Sequence, residues 1–399
     1  MNSTEQSGLS KGLIFLLATA VGIIAANLYY AQPLTGMISR ALGLAPGAAG
    51  LVVTLTQMGY GLGVLLVVPL GDILENRRLV LTMMSVAVIG LLGLAFSTQL
   101  IPYFIAAFAT GIGASTVQII MPYAAHFSSH EKRGEVVGRL TSGLMMGIML
   151  SRPIASLLTD LYSWHAVFVL SAFLMIVLGF VLHRLLPERK PTNLNLHYTK
   201  LLSSMIYLFI NTPILRRRAI YQAFLFGAFC LFWTASPLLL AGSEFHFSQT
   251  AIAIFALVGV TGAVSAPFAG KAADRGWTKI ATVSSIAACA LSFLLSHIFP
   301  SGSVSSLFAL VIAAILLDAG VTANLILGQR EIFSLPAELR GRLNGLYIAT
   351  IFVGGAAGSA LGGWAYANGG WSLTSWVGFL LPATALLYFF TDRKNFKEN

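Results

Sequence analysis

Twelve membrane-spanning helices in two pseudo-symmetric six-helix bundles are the architecture this sequence predicts, an all-α polytopic membrane protein. Three observations carry the prediction. The 399 residues are 57% hydrophobic and only 10% charged, with a mean hydropathy of +0.82, a balance not expected of a soluble domain of this length. The apolar residues fall into long runs bounded by charge, proline or glycine clusters. Three sequence markers recur in the same order in the second half of the chain.

A transmembrane helix takes about 20 apolar residues, and twelve runs reach that scale. They cover roughly 12–37, 46–70, 78–97, 101–127, 135–160, 165–186, 214–242, 248–272, 278–298, 303–332, 340–367 and 371–391. Residues 1–10 form a short polar tail, and the run after Lys11 continues too far for a cleaved signal, so it reads as the first span. The longest polar interval, Pro187 to Pro213, divides six spans from six. This gives an N-terminal bundle at 1–186, a central loop at 187–213 and a C-terminal bundle at 214–399.

Orientation follows from the basic residues. Of the 24 lysines and arginines, Arg40 alone falls in an odd-numbered loop and Arg152 alone lies deep in a span. The others sit in even-numbered loops, at their helix ends or in the tails, so both termini and the central loop are expected to be cytoplasmic. The net charge of +10 is thereby a matter of topology, and no nucleic-acid partner is expected. Cys230 and Cys289 both lie in apolar runs, which argues against a disulfide framework or a metal site.

The repeats support duplication. VVPLGDILENRR after span 2 carries Asp72 and PFAGKAADRGWTK after span 8 carries Asp274, an offset of 202 residues. Arg133-Gly134 after span 4 answers to Arg340-Gly341 after span 10, and Trp164 before span 6 to Trp371 before span 12, both at 207.

On these markers the chain resembles the major facilitator superfamily of secondary transporters over essentially its whole length. NLYYAQPL at 27–34, GIMLSRP at 147–153, LDAGVTANLILGQREIF at 317–333 and RGRLNGLY at 340–347 make it similar to the bacterial drug:proton antiporter-like branch. The first hairpin departs from the family pattern, in which an Arg follows the Asp and a Gly stands three residues after it. Ile73 and Glu75 occupy those positions, so the geometry of any relay among Asp72, Arg77 and Arg78 is open to question. The resemblance implies a major facilitator fold, a bacterial inner-membrane location, alternating access, and a cavity lined by spans 1, 4, 7 and 10.

Asp318 is the residue that most needs explaining. It stands near the middle of span 10, where a charge costs roughly 2.5 to 3.5 kcal/mol on insertion scales, so an intramembrane acid is a functional hypothesis by default. The functional reading is a proton site; the plainer one is a structural acid paired permanently. Arg152 on span 5 is the other charge at depth. In the facilitator fold the two can approach across the cavity, and a switching ion pair, a static lock or pairing of Arg152 with helix carbonyls all remain open.

Candidate solute contacts are Asn27 and Tyr30, which helical spacing would put on one face with Leu34, together with Gln118 on span 4 and Thr322 on span 10. Gln222, Phe226, Phe229 and Trp233 on span 7 form an aromatic stripe headed by an amide, suited to a hydrophobic solute. Such a stripe is as often packed or lipid-facing, and the tyrosines suit an interfacial belt equally well. Asp72, Arg77, Arg78, Asp274, Arg275, Arg133 and Arg340 read as a cytoplasmic gate, or simply as topology signals. Gly143 and Gly147, and Gly354, Gly358 and Gly362, recur at four-residue spacing and suit close helix approach.

The resulting expectation is a monomeric, proton-coupled exporter of a small amphipathic or hydrophobic compound, working without a cofactor. An uptake symporter or uniporter for a sugar or organic acid is the alternative within transport. No GxxxxGK[ST] loop appears, which disfavours direct ATP drive. The shortness of the loops disfavours a membrane enzyme or sensor.

Overall fold

The computed structural model describes residues 9–129, 132–189 and 197–392. Ten helices in it are long and apolar enough to cross a membrane. The count becomes twelve crossings when the shorter apolar helix Lys11–Ala26 is added and the 51-residue helix Arg340–Phe390 is divided. That division falls at Gly369 and Gly370, whose backbone is non-helical; Gly370 has φ of 59°, a region that favours glycine.

In chain order the crossings are α1 (Lys11–Ala26), α2 (Pro46–Asp72), α3 (Asn76–Phe96), α4 (Leu100–His126), α5 (Arg133–Leu161) and α6 (Trp164–Leu185). They continue as α7 (Pro213–Ala241), α8 (Gln249–Asp274), α9 (Thr278–Leu295), α10 (Val304–Phe333), α11 (340–368) and α12 (371–390).

The first span is broken where the sequence suggests continuity to residue 37. Beyond Ala26 the backbone runs in turns, with Leu28 N–H donating to Ala25, Tyr29 to Ala26 and Gln32 to Tyr29, before a short helix at Thr35–Ala41. Pro33 supplies no N–H and disfavours α geometry at Gln32. Asn27, Tyr30 and Leu34 therefore do not share one helical face, because they are not on a regular helix.

The central interval, a polar loop by sequence, contains a linker helix, Tyr198–Asn211; residues 190–196 lie outside those described.

The glycines explain how the bundles close. A Cβ on Gly143 would overlap the Ala18 carbonyl, and one on Gly147 the Gly22 carbonyl, so α1 and α5 touch backbone to backbone. The second half repeats this: Gly354 meets the carbonyl of Ala223, and Gly358 that of Gly227, joining α7 to α11. Gly22 and Gly227 thus occupy corresponding places, and the internal duplication is visible in packing as well as in sequence. The two tryptophans that answer to one another in sequence are both buried but make different contacts. Trp164 packs against Tyr103 with ring centroids 6.4 Å apart, and Trp371 donates its indole N–H to the Ser296 carbonyl at 3.1 Å.

Between the halves, contact is tightest on the face remote from the chain ends. Thr54 Oγ1 donates to the Ala356 carbonyl at 3.1 Å, Gly50 packs on the Ser359 carbonyl, Gly363 on the backbone of Gly50, and Thr250 donates to Asp160. Toward the other face, Gly134 and Gly138 at the start of α5 and Gly341 at the start of α11 have open space beside them.

Candidate functional site

Arg152 and Asp318 are 2% and 3% exposed, and they arrive at the same place from opposite halves. Their meeting point is Gly259, in the 3-10 stretch Leu257–Val260 of α8. A Cβ there would stand 3.0 Å from Asp318 Oδ2 and 3.2 Å from Arg152 Nη1. A side chain there would crowd both groups, and glycine leaves them room.

The two charges nevertheless form no direct ion pair. Trp233 touches both. Its indole N–H donates to Asp318 Oδ1 at 2.9 Å, and its ring faces the guanidinium, with Arg152 Cζ 4.4 Å from the ring centroid. Phe229 at 4.9 Å and Tyr29 at 5.4 Å complete an aromatic enclosure around the cation. Desolvated cation–π contacts are worth up to about 2 kcal/mol each, enough to hold a buried guanidinium together with a good hydrogen bond. That bond is Arg152 Nε to Gln32 Oε1 at 2.8 Å. Arg152 Nη2 and Gln32 Nε2, by contrast, are buried without hydrogen-bond partners among the described residues.

The aromatic stripe of α7 is a packed column. Phe226 and Phe229 stack at 5.4 Å, and Phe226 meets Phe352 of α11, which in turn meets Tyr60 of α2 at 4.2 Å. The column therefore runs from the Arg152 enclosure to the seam between the halves. Gln222 heads it, donating to the Val321 carbonyl at 3.1 Å and accepting from Asn324 Nδ2 at 2.7 Å.

The remaining candidates fall elsewhere. Asn27 accepts from Ser171 on α6 and donates to the Ile23 carbonyl, an assignment internal to the first half. Tyr30 lines a cavity of about 750 Å³ among α1, α5 and α6, away from Asp318. Thr322 faces Gly262 on α8. Gln118 joins the halves, donating to Tyr60 Oη at 3.0 Å and accepting from Asn344 of α11 at 3.4 Å.

Four of the charges considered as a gate, Arg77, Arg133, Asp274 and Arg275, are tied within their own halves. Arg77 donates to the His183 carbonyl and Arg133 Nε to the Ala125 carbonyl at 3.0 Å, while Asp274 pairs with Arg330. Arg275 lies over Trp277 at 5.5 Å, and the backbone N–H of Arg78 donates to Glu75. Asp72 and Arg340 make no hydrogen bond or ion pair among the described residues. No pair of this set bridges the halves.

Glu75, at a departure from the family pattern, has a use of its own. Its carboxylate accepts from the backbone N–H of Arg77 at 2.8 Å, Arg78 at 2.7 Å and Arg189 at 3.1 Å, capping α3 and fastening the end of the first half. Partial burial works against its charge, but these three donors outweigh it and hold Glu75 below the usual glutamate range.

Sequence reasoning did not place Tyr29 and Gln32 at Arg152, and it missed Gly259 and the second-half pairs. Arg218 binds Glu331, with Nε to Oε2 at 2.6 Å, and also Thr282 at 2.8 Å. Arg330 and Glu331 were in view within GQREIF, and their i,i+1 placement sends them to different helices. Tyr29 and Gln32 were in view within NLYYAQPL, but only the turns after Ala26 aim them at Arg152.

Comparison with known proteins agrees with this architecture. The chain matches the Major Facilitator Superfamily over residues 14–332. It is 37% identical over 379 residues to an uncharacterized transporter, YgaY, of Escherichia coli O157:H7, covering 95% of each chain. It is 32% identical over 360 residues to a probable transporter of Streptomyces coelicolor, covering 89% of this chain and 82% of that one. Among solved structures it superposes on the nucleoside transporter NupG with a TM-score of 0.72 at 16% identity, over 97% of this chain and 100% of that one. A POT family transporter in complex with a thioalcohol-conjugated peptide gives 0.72 at 14% identity, over 95% and 94%. The chain belongs to the major facilitator superfamily.

Proposed function

We propose that this secondary transporter is coupled to protons through Asp318 and exports a small amphipathic or hydrophobic compound in exchange, as in the drug:proton antiporter-like branch it resembles. The observation that carries the reading is that Asp318 is held by the Trp233 indole N–H, with Arg152 beside it but not in a direct ion pair. A direct buried ion pair would have to be broken, at a cost of several kcal/mol, each time the acid took a proton. Here the guanidinium keeps three rings and Gln32 whatever the state of Asp318, so proton exchange leaves the rest of the site in place. Arg152 acts as the fixed positive neighbour that supports the ionised carboxylate.

The column of Phe226, Phe229, Trp233 and Phe352 is packed in this arrangement, and it supports an apolar solute class as a surface that relative movement of the halves would uncover. Aromatic faces give contact area without demanding one hydrogen-bond pattern, and Gln222, Asn324 and Gln118 add neutral polar groups along the path. With the termini cytoplasmic, as the basic residues suggest, the seam at Thr54 and Ala356 would be periplasmic and the arrangement inward-facing. Rocking of the halves about the central site would then deliver solute outward. The protein works as a monomer in the bacterial inner membrane, each six-helix half forming one moving unit.

One observation favours a second reading, cotransport of an organic acid. Arg152 Nη2 and Gln32 Nε2, on side chains joined by a hydrogen bond, are donors without partners among the described residues, and a carboxylate could accept from both. Proteoliposomes separate the two. Export by exchange predicts that a pH gradient of one sign drives the solute against the proton flow, whereas acid cotransport predicts movement with it. Flux indifferent to the gradient would contradict both.

A further inference from the structure

The linker helix Tyr198–Asn211 presents three distinct strips. Leu201 and Met205 are buried against the protein. Ile206 and Ile210, 63% and 59% exposed, lie on one outward edge, and Lys200 and Asn211 on the other, with Tyr207 between them. At 100° per residue Ile206 and Ile210 are separated by only about 40°, and Lys200 and Asn211 by about 20°. Exposed Thr199 and Ser203 share the edge of Ile206 and Ile210 in the first turns, so the apolar outer strip belongs to the last turns, where a helix apolar at one outer edge and polar at the other fits the boundary between hydrocarbon and water.

Its position fixes the level at which it lies. Thr212 alone separates it from Pro213, the first residue of α7, and Arg216 in the first turn of α7 donates to the Ile210 carbonyl. The helix therefore adjoins the N-terminal end of α7, where that membrane span begins. It also touches both halves. Tyr198 donates its hydroxyl to the Leu66 carbonyl of α2 at 2.7 Å, and Arg342 of α11 donates to Ser204 Oγ at 3.0 Å.

We propose that this helix is a lipid-docking element: Ile206, Ile210 and the Tyr207 ring insert among the headgroups of the bilayer, while Lys200 faces the anionic lipid surface from the water side. The partner is lipid, and the helix ties that lipid surface to the seam between α2 and α11. The inference is independent of proton coupling at Asp318 and of the solute.

The test uses single nitroxide labels at Ile206→Cys, Ile210→Cys, Lys200→Cys and Asn211→Cys in the full chain, reconstituted in vesicles of phosphatidylethanolamine and phosphatidylglycerol. The native Cys230 and Cys289 are buried, and the unsubstituted chain gives the labelling background. Expected are high oxygen and low nickel-complex accessibility at 206 and 210, and the reverse at 200 and 211. Equal, high nickel accessibility at all four sites would overturn the proposal by placing the helix in water. Strong spin–spin broadening at 206 and 210 that vanishes on dilution with unlabelled protein would also overturn it, by showing a second copy as the occupant.

Discussion

Trp233 makes two contacts that single substitutions can separate. Trp233→Phe keeps a ring beside Arg152 and removes the N–H that Asp318 Oδ1 accepts. A hydrogen bond to a charged group is worth about 1.5 to 3 kcal/mol, so proton-driven flux is expected to fall about tenfold or more while thermal stability changes little. Trp233→Ala also empties a core position, at about 3 to 5 kcal/mol, and is expected to lower the melting temperature markedly. Equal flux in the Phe variant and the parent protein would remove Trp233 from the coupling account. Gly259→Leu is expected to separate α8 from both charges and abolish transport, read as flux at matched protein content. At this scale the sequence disclosed the charges but not their relation. Depth in an apolar run singled out Asp318 and Arg152, whereas the partners of Arg152 come from a turn after a broken helix, which spacing rules for regular helices do not describe.

Two elements show how packing and capping support the site. The α1–α5 and α7–α11 contacts depend on backbone approach at Gly22, Gly147, Gly227 and Gly358. Gly147→Leu or Gly358→Leu forces those helices apart, and overpacking of this kind costs about 1 to 3 kcal/mol or more, to be seen as a lower unfolding temperature in detergent. The helix pair was legible because small residues at four-residue spacing are what a backbone-to-backbone contact between helices requires. The linker helix was not, because its apolar residues fill too short a run to read as a span. Glu75 gives a pH prediction. Its folded-state pKa lies below that of a free glutamate, so its stabilisation is present above the unfolded-state value and is lost as pH falls through the folded-state value. Glu75→Gln is therefore expected to cost about 1 kcal/mol near neutrality, in the range of other helix caps, and to flatten the decline of stability in acid. A variant whose acid profile matches the parent would show that the cap contributes nothing.

For the whole molecule the account requires the halves to part at a seam that is now closed. Thr54 and Ala356 meet there at 3.1 Å. A short bifunctional cross-link between Thr54→Cys and Ala356→Cys is expected to stop transport, with activity restored on cleavage of the link. The twelve crossings and the duplication were legible because lipid imposes long apolar runs and the markers repeat in order; which face is sealed depends on tertiary contacts that no run of residues encodes. The central claim is that Asp318 couples solute movement to protons. The direct measurement is solute flux and accompanying proton movement in proteoliposomes under an imposed pH gradient, comparing the parent protein with Asp318→Asn. The account predicts that the variant folds, remains in the membrane and loses gradient-driven flux together with solute-linked proton movement. Full proton-driven transport by the Asn variant would contradict it.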